Sequence, residues 1–271
     1  MERTTAYLCG IIMAVAIVMV ACKSAKKSIV VVHTNDTHSQ IECYIGKGDT
    51  LGGYLRRYEA LKELRTENPG LILLDAGDFS QGSPYFNMFG GKAEIELMNL
   101  LGYEASTLGN HEFDRGVSDL ADRLKLARFQ IVCANYRFLD TALAARVKPY
   151  TIIRRGNVKI GIFGLTCNLD GITSTTVLDS LQYLDPVEIS RQTINTLKSE
   201  GCDFVICLSH LGYFPEPGRP MCDSILAKHV TGLDLLVSGH SHIVVDTVIN
   251  GVKILQTGEK GLRLGEVKLE K

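Results

Sequence analysis

Five strand-like segments, "SIVVVHT", "LILLDAGD", "EASTLGN", "DFVICLSH" and "LDLLVSGH", each lead into Asp, Asn or His at or just beyond the carboxyl end. Between and around them lie patterns with helical apolar spacing: residues 51–70, 93–102, 117–129, 186–201 and 224–230. Strands alternating with amphipathic helices predict an α/β domain. "QIVCAN" (130–135) adds a strand, and "YTIIRRGNVKIGIFGLT" (150–166) reads as a hairpin about Gly156 and Asn157. Residues 244–271 read as short antiparallel strands with a first turn at Asn250-Gly251, so the sheet is expected to be mixed.

The chain has 271 residues, 45% of them apolar, which suits one domain with a substantial core. Its 29 Lys plus Arg against 30 Asp plus Glu leave a net charge of −1. That balance provides neither a basic surface for nucleic acid nor an acidic tail, so no nucleic-acid partner is expected. Phosphate chemistry in such a chain has to come from a local site.

The amino terminus carries a separate signal. Residues 7–21 form a continuous apolar run, short for a bilayer span of about 20 residues. The run reads as a signal peptide, and its end, "MVAC", resembles a bacterial lipobox. Residues 1–21 are therefore expected to be a signal of the lipoprotein type, 22–27 a short tether and 28–271 the folded domain. A lipid on Cys22 would attach an exported protein to the bacterial cell envelope; the other reading is an uncleaved membrane anchor. Cys43, Cys133, Cys167, Cys202, Cys207 and Cys222 show no metal-knuckle spacing, and Cys133 and Cys207 lie inside apolar strands. These six are expected to be mostly buried, reduced thiols.

The polar residues at the strand ends belong together. In open α/β sheets, ligands bind in the crevice beyond the carboxyl ends of the strands. Asp36, His38, Asp78, Asn110, His210, His240 and His242 are seven oxygen and nitrogen donors from five such ends. Asp36-x-His38 and His240-x-His242 are i, i+2 pairs, which project to one side in an extended stretch. Mixed imidazole and carboxylate donors suit transition metals such as Zn or Mn better than Ca. Seven donors exceed the needs of one ion, and they divide into two sites of four if Asp78 is shared. Two divalent cations there would retain positive charge to attract a phosphate and would lower the pKa of a bridging water.

"HTNDTHSQIE", "DAGDFSQGSP", "LGNHEFDRG", "LSHLG" and "SGHSH", in this order, resemble the calcineurin-like metallophosphoesterases, and specifically the catalytic domain of the bacterial 5′-nucleotidase family. The resemblance implies a four-layer α/β/β/α sandwich with mixed sheets. It implies one metal on Asp36, His38, Asp78 and His242 and a second on Asp78, Asn110, His210 and His240. It makes His111 the non-ligand histidine that assists the departing oxygen and Asp114 the carboxylate that orients it. The implied activity is phosphate release from nucleotides by attack of a metal-bridging hydroxide; cyclic nucleotides, sugar nucleotides or a non-catalytic metal-binding scaffold are the alternatives. Glu112 is expected to accept backbone N–H bonds, Asp75 to form a turn or support a ligand, His33 to pack rather than ligate, and His229 to close a helix. The family's C-terminal domain clamps the nucleobase, and no match to it is seen before Lys271, so a separate protein resembling that domain is an expected partner.

Overall fold

A computed structural model describes residues 26–46 and 48–271. In chain order the strands are β1 Ser28–Thr34, β2 Tyr44–Ile45, β3 Thr50–Leu51, β4 Ile72–Asp75, β5 Ala105–Thr107, β6 Gln130–Val132, β7 Tyr136–Phe138, β8 Val147–Lys148, β9 Tyr150–Arg155, β10 Val158–Thr166, β11 Leu181–Tyr183, β12 Phe204–His210, β13 Leu235–Ser238, β14 Val244–Ile249, β15 Val252–Thr257 and β16 Gly265–Glu270. The helices are α1 Tyr54–Glu67, α2 Pro84–Phe89, α3 Lys92–Leu101, α4 Val117–Arg123, α5 Thr141–Ala144, α6 Thr175–Leu178, α7 Pro186–Ser199 and α8 Asp223–His229. The expected signal peptide and Cys22 lie outside the described residues.

Two six-stranded sheets organise the molecule, in the orders β16-β1-β4-β5-β6-β8 and β14-β15-β13-β12-β10-β9. Alternate residues of each strand enter different cores, which is why the central strands read as unbroken apolar runs. Val31, Ile72 and Leu74 of the first sheet meet Ile160, Ile206, Leu235 and Leu255 of the second between the sheets. Val32 and Leu73 face outward onto Leu61 of α1, Met98 of α3 and Leu120 of α4. Val205, Cys207 and Leu236 face the other way onto Ile194 and Leu197 of α7 and Leu226 of α8. The result is the four-layer α/β/β/α sandwich with mixed sheets.

The hairpin at Gly156–Asn157 forms as expected, with β9 antiparallel to β10. The carboxyl-terminal tail forms short strands with antiparallel partners, as expected, but adds a parallel pairing and divides between the two sheets. β14 and β15 do pair antiparallel across Asn250-Gly251, but β15 also runs parallel to β13, and β16 crosses to the first sheet to pair antiparallel with β1. Strand partners across a distance are chosen by which sheet edge is open, which local turn chemistry does not encode. The expected helix 117–129 is α4 followed by a separate 3₁₀ turn at Leu124–Leu126. Short elements such as α2 and β11 fall below the length at which apolar periodicity is readable. The six described cysteines are free, five of them buried and Cys43 partly so.

The two sheets touch closely at one end. Ala134 donates its backbone N–H to the Gly164 carbonyl at 2.8 Å, and the Thr166 hydroxyl donates to the Leu108 carbonyl at 2.6 Å. A Cβ on Gly164 would lie 2.0 Å from the Val132 carbonyl oxygen, so only glycine allows this approach. The carboxyl ends of β1, β4 and β5 in one sheet and of β12 and β13 in the other therefore open onto a common edge.

Candidate metal centre

That edge gathers the carboxylates and imidazoles. Asp36, His38, Asp78 and His242 form one group whose potential ligand atoms lie within 4.8 Å of one another, and Asp78, His210 and His240 form a second. Asp78 is common to both. In the first group His38 Nε2 is 2.9 Å from His242 Nε2 and 3.8 Å from an Asp78 oxygen, while His242 Nε2 is 3.5 Å from Asp36 Oδ1. In the second, His210 Nε2 is 3.0 Å from Asp78 Oδ2 and 3.7 Å from Asp36 Oδ1.

The backbone reaches these positions at a conformational cost. Asp36 (φ 48°), His38 (46°), Asp78 (54°), His240 (73°) and His242 (54°) all adopt left-handed backbone. Side chains other than glycine visit this region uncommonly, and clustering of such residues is typical of functional loops. The conformation corrects the i, i+2 argument, because neither pair is extended. Asp36 and His38 do share a group, but His240 and His242 separate into different ones. Gly109 accommodates the crowding, since a Cβ there would lie 2.0 Å from Asp78 Oδ1.

Hydrogen bonds and ion pairs from the surrounding loops hold several of these donors. His240 N–H donates to both Asp36 oxygens at 2.9 and 3.0 Å, joining the second sheet to the first. Asn35 Nδ2 donates to Asp36 Oδ2 at 2.7 Å. His111 N–H donates to Asp78 Oδ1 at 2.9 Å. His210 Nδ1 lies 2.7 Å from the Ala76 carbonyl, which requires that nitrogen to carry a proton and turns Nε2 toward the carboxylates. His242 Nδ1 is 3.3 Å from Glu259 Oε2, and His240 Nε2 is 3.5 Å from Glu216 Oε1. Arg219 in turn donates to Glu216 Oε2 at 2.9 and 3.1 Å. Carboxylates behind imidazoles set tautomer and ring orientation.

Charge and burial act together here. Burial disfavours a charge on His210, but Asp78 and Asp36 outweigh it and raise its pKa to about 10. Burial likewise opposes the Asp78 charge, and His210, His38 and His111 overcome that opposition to hold its carboxyl well below the usual range. His210 Nε2 nevertheless has no aligned hydrogen-bond acceptor. The nitrogen and the Asp78 oxygen stand side by side rather than in line, as expected of two donors aimed at a third atom. Nitrogen and anionic oxygen donors so arranged fit divalent transition metals, which replace protons on such ligands.

Asn110 ends the β5 loop with its Oδ1 3.9 Å from Cys167 Sγ. Next to it His111 is half-buried, with its ring centroid 5.4 Å from that of His38. Its Nδ1 is 2.9 Å from Asp114 Oδ2, and this hydrogen bond is the main reason its pKa is raised. Glu112 accepts N–H bonds from Asp78 (2.9 Å), Gly109 (2.7 Å) and Ser80 (3.0 Å), the structural part expected of it. Asp75 receives the Thr34 and Ser106 hydroxyls and Gly77 N–H. His33 is fully buried without a hydrogen-bond partner among the described residues, and His229 closes α8. Sequence reasoning missed Asn35, Glu216, Glu259 and Asp223, because isolated polar residues acquire meaning only through the histidine or carboxylate they face. Asn35 alone had a signal, lying inside the first strand-end cluster.

Comparison with other proteins agrees with this geometry. Residues 29–244 match the family described as calcineurin-like phosphoesterase. The chain is 36% identical over 233 residues to the snake venom 5′-nucleotidase of Gloydius brevicauda, covering 81% of this chain and 38% of the venom protein. It is 31% identical over 231 residues to a human 5′-nucleotidase, covering 81% of this chain and 39% of the human one. The structure is similar to that of a 5′-nucleotidase precursor from Thermus thermophilus, with a TM-score of 0.81 and 32% identity over 89% of this chain and 51% of that one. It is also similar to the calcineurin-like phosphoesterase YfkN from Bacillus subtilis, with a TM-score of 0.76 and 28% identity over 90% of this chain and 85% of that one. The chain thus spans about two fifths of the curated 5′-nucleotidases it matches. The family works with two divalent metals, and two groups able to hold them are present here around a shared carboxylate. By sequence and by fold, this chain belongs to the calcineurin-like phosphoesterase family.

Proposed function

We propose that the protein is a metal-dependent phosphoester hydrolase of the 5′-nucleotidase type. The observation that carries this reading is the sharing of Asp78 between two donor groups, with the His111–Asp114 pair beside them. Asp36, His38, Asp78 and His242 would hold one cation, and Asp78, Asn110, His210 and His240 the other. When bound, the two cations supply Lewis acidity toward a phosphate and lower the pKa of water. The chain's own residues do the remaining work. Asp114 accepts from His111 Nδ1, which favours the imidazolium and leaves Nε2 free to give its proton to the departing oxygen. Glu112 and His111 N–H hold the Asp78 loop in the position where both groups reach its carboxylate.

Nucleotides are the proposed substrates, supported by relatives that bear the name 5′-nucleotidase. The organic part of the substrate is proposed to be read mainly by a domain resembling the remainder of those longer relatives. Lipidation at Cys22 and residence in the bacterial envelope are proposed from the lipobox-like "MVAC". A self-sufficient enzyme is the second reading. It is favoured by a cleft of about 570 Å³ lined by Asn168, Tyr183, Arg219 and Met221, the last two on the loop that also carries Glu216.

A panel of 5′-nucleotides, 2′,3′-cyclic nucleotides, nucleotide sugars and a simple aryl phosphate, assayed with Mn or Zn and again after chelation, tests the proposal. Hydrolysis of nucleotides that chelation abolishes is the expected result. Hydrolysis indifferent to chelation would overturn it. A low Michaelis constant with preference for one nucleobase by residues 28–271 alone would remove the need for that domain.

A further inference from the structure

Asp223 opens α8 and is fully buried, outside both donor groups. Its two oxygens receive two hydroxyls, Ser209 on Oδ1 and Ser238 on Oδ2. Ser209 and Ser238 are register partners on the adjacent parallel strands β12 and β13. His210 follows the first directly, and His240 follows the second after Gly239. The carboxylate thus spans the two strand ends that deliver the imidazoles of the second donor group, from the face opposite the other sheet. Its own backbone N–H donates to the Gly212 carbonyl at 2.8 Å, which draws in the chain just after His210. Ser238 Oγ also lies 3.3 Å from the Gln256 side-chain amide, whose Nε2 has no other partner among the described residues. The single hydroxyl proton of Ser238 is already given to Asp223, so the Gln256 amide turns its N–H toward Ser238 and donates to it.

A buried carboxylate is an expensive way to satisfy two serine hydroxyls. Alanines at 209 and 238 with an apolar residue at 223 would satisfy the helix-to-sheet packing without burying a charge. What the apolar alternative cannot do is tie two strand ends together at fixed spacing. We infer that Asp223 is a positioning residue that sets the separation of His210 and His240 and so governs the affinity of the second metal, with little influence on the first. The inference rests on the metal-site reading above. Among the described residues, Asp223, Ser209 and Ser238 make no hydrogen bond to Asp36, His38 or His242; the link to the first group is indirect, through His240 N–H on Asp36.

Calorimetric titration of the metal-free protein with Mn²⁺, with elemental analysis of the gel-filtered product, tests it without relying on activity. Wild type is expected to take up two ions. Asp223→Ala is expected to bind one as in wild type and the other 10- to 100-fold more weakly, the usual range for residues behind metal ligands. Asp223→Asn keeps one acceptor and gains an N–H donor for the second hydroxyl, so it should recover most of the affinity. Should Asp223→Ala not fold, Ser209→Ala and Ser238→Ala each remove one tie while leaving the carboxylate, and each is expected to weaken the same single ion. Two unchanged ions in folded Asp223→Ala, or in both serine variants, overturn the inference, as does equal weakening of both ions. Failure of wild type to bind two ions would instead strike the metal-site reading itself.

Discussion

His33 and His210 make a controlled comparison inside one protein. Each is fully buried on a central strand of a six-stranded sheet, His33 on β1 and His210 on β12. Yet burial alone pushes His33 down to about 4, whereas His210 rises to about 10. His33 packs against Gly265 of β16 with both ring nitrogens unpaired among the described residues. His210 faces Asp78 and Asp36, and its far nitrogen is turned by the Ala76 carbonyl. Burial thus sets the penalty for charge in both places, and the neighbouring carboxylates decide whether it is overcome. A divalent cation held between His210 and Asp78 would take the place of the imidazole proton.

The most severe way to break the comparison is to remove the carboxylate on which both donor groups depend. Asp78→Asn is expected to lower metal content in both groups and to reduce hydrolysis on the order of 10³-fold or more, since it removes charge that positions and neutralises both cations. Retention of two tightly held ions would refute its shared role. His111→Ala separates holding from turning over: metal content should stay intact while turnover slows by roughly 10²- to 10⁴-fold. Loss of an ion in that variant would make His111 a ligand. Asp114→Asn should slow turnover less, because Asp114 acts through His111.

Smaller effects sharpen the picture. Glu259 stands behind His242, so Glu259→Gln should weaken metal binding in the first group about 10- to 100-fold, read by calorimetric titration, and leave the second unchanged. The least effect concerns stability. Because the folded-state pKa of His33 is depressed, the folded chain resists a proton that the unfolded chain accepts. Stability is therefore complete above the ordinary value of about 6.5 and is lost as pH falls toward about 4. At pH 5 the loss amounts to about 2 kcal/mol. In His33→Leu this part of the acid sensitivity should disappear, measured as a shallower fall of melting temperature between pH 7 and pH 5. An unchanged slope would show that His33 titrates normally.

Along the chain, residue pattern already specifies the alternation of strands and helices, the Asn157-flanked hairpin and the order in which chemical groups are delivered. Continuous apolar strands require layers on both faces, and strand-end polar clusters in a parallel sheet have only one edge to occupy. These are local patterns with period and position, so they can be read along the chain. Only the packing of distant segments sends β16 away from its neighbour β15 to the first sheet. It also decides which lone polar residues matter: Glu216 and Glu259 behind imidazoles, Asn35 on Asp36, and Asp223 between two serines. No spacing encodes these contacts. Asp223 meets hydroxyls 14 and 15 residues away on two different strands, and the Asn35 amide that donates to Asp36 also donates to a carbonyl 223 residues further on. The site residues themselves are placed by left-handed turns that five of them adopt against their own preference. The strain is borne by the packing of two sheets against each other, and that packing exists only once the whole chain has folded.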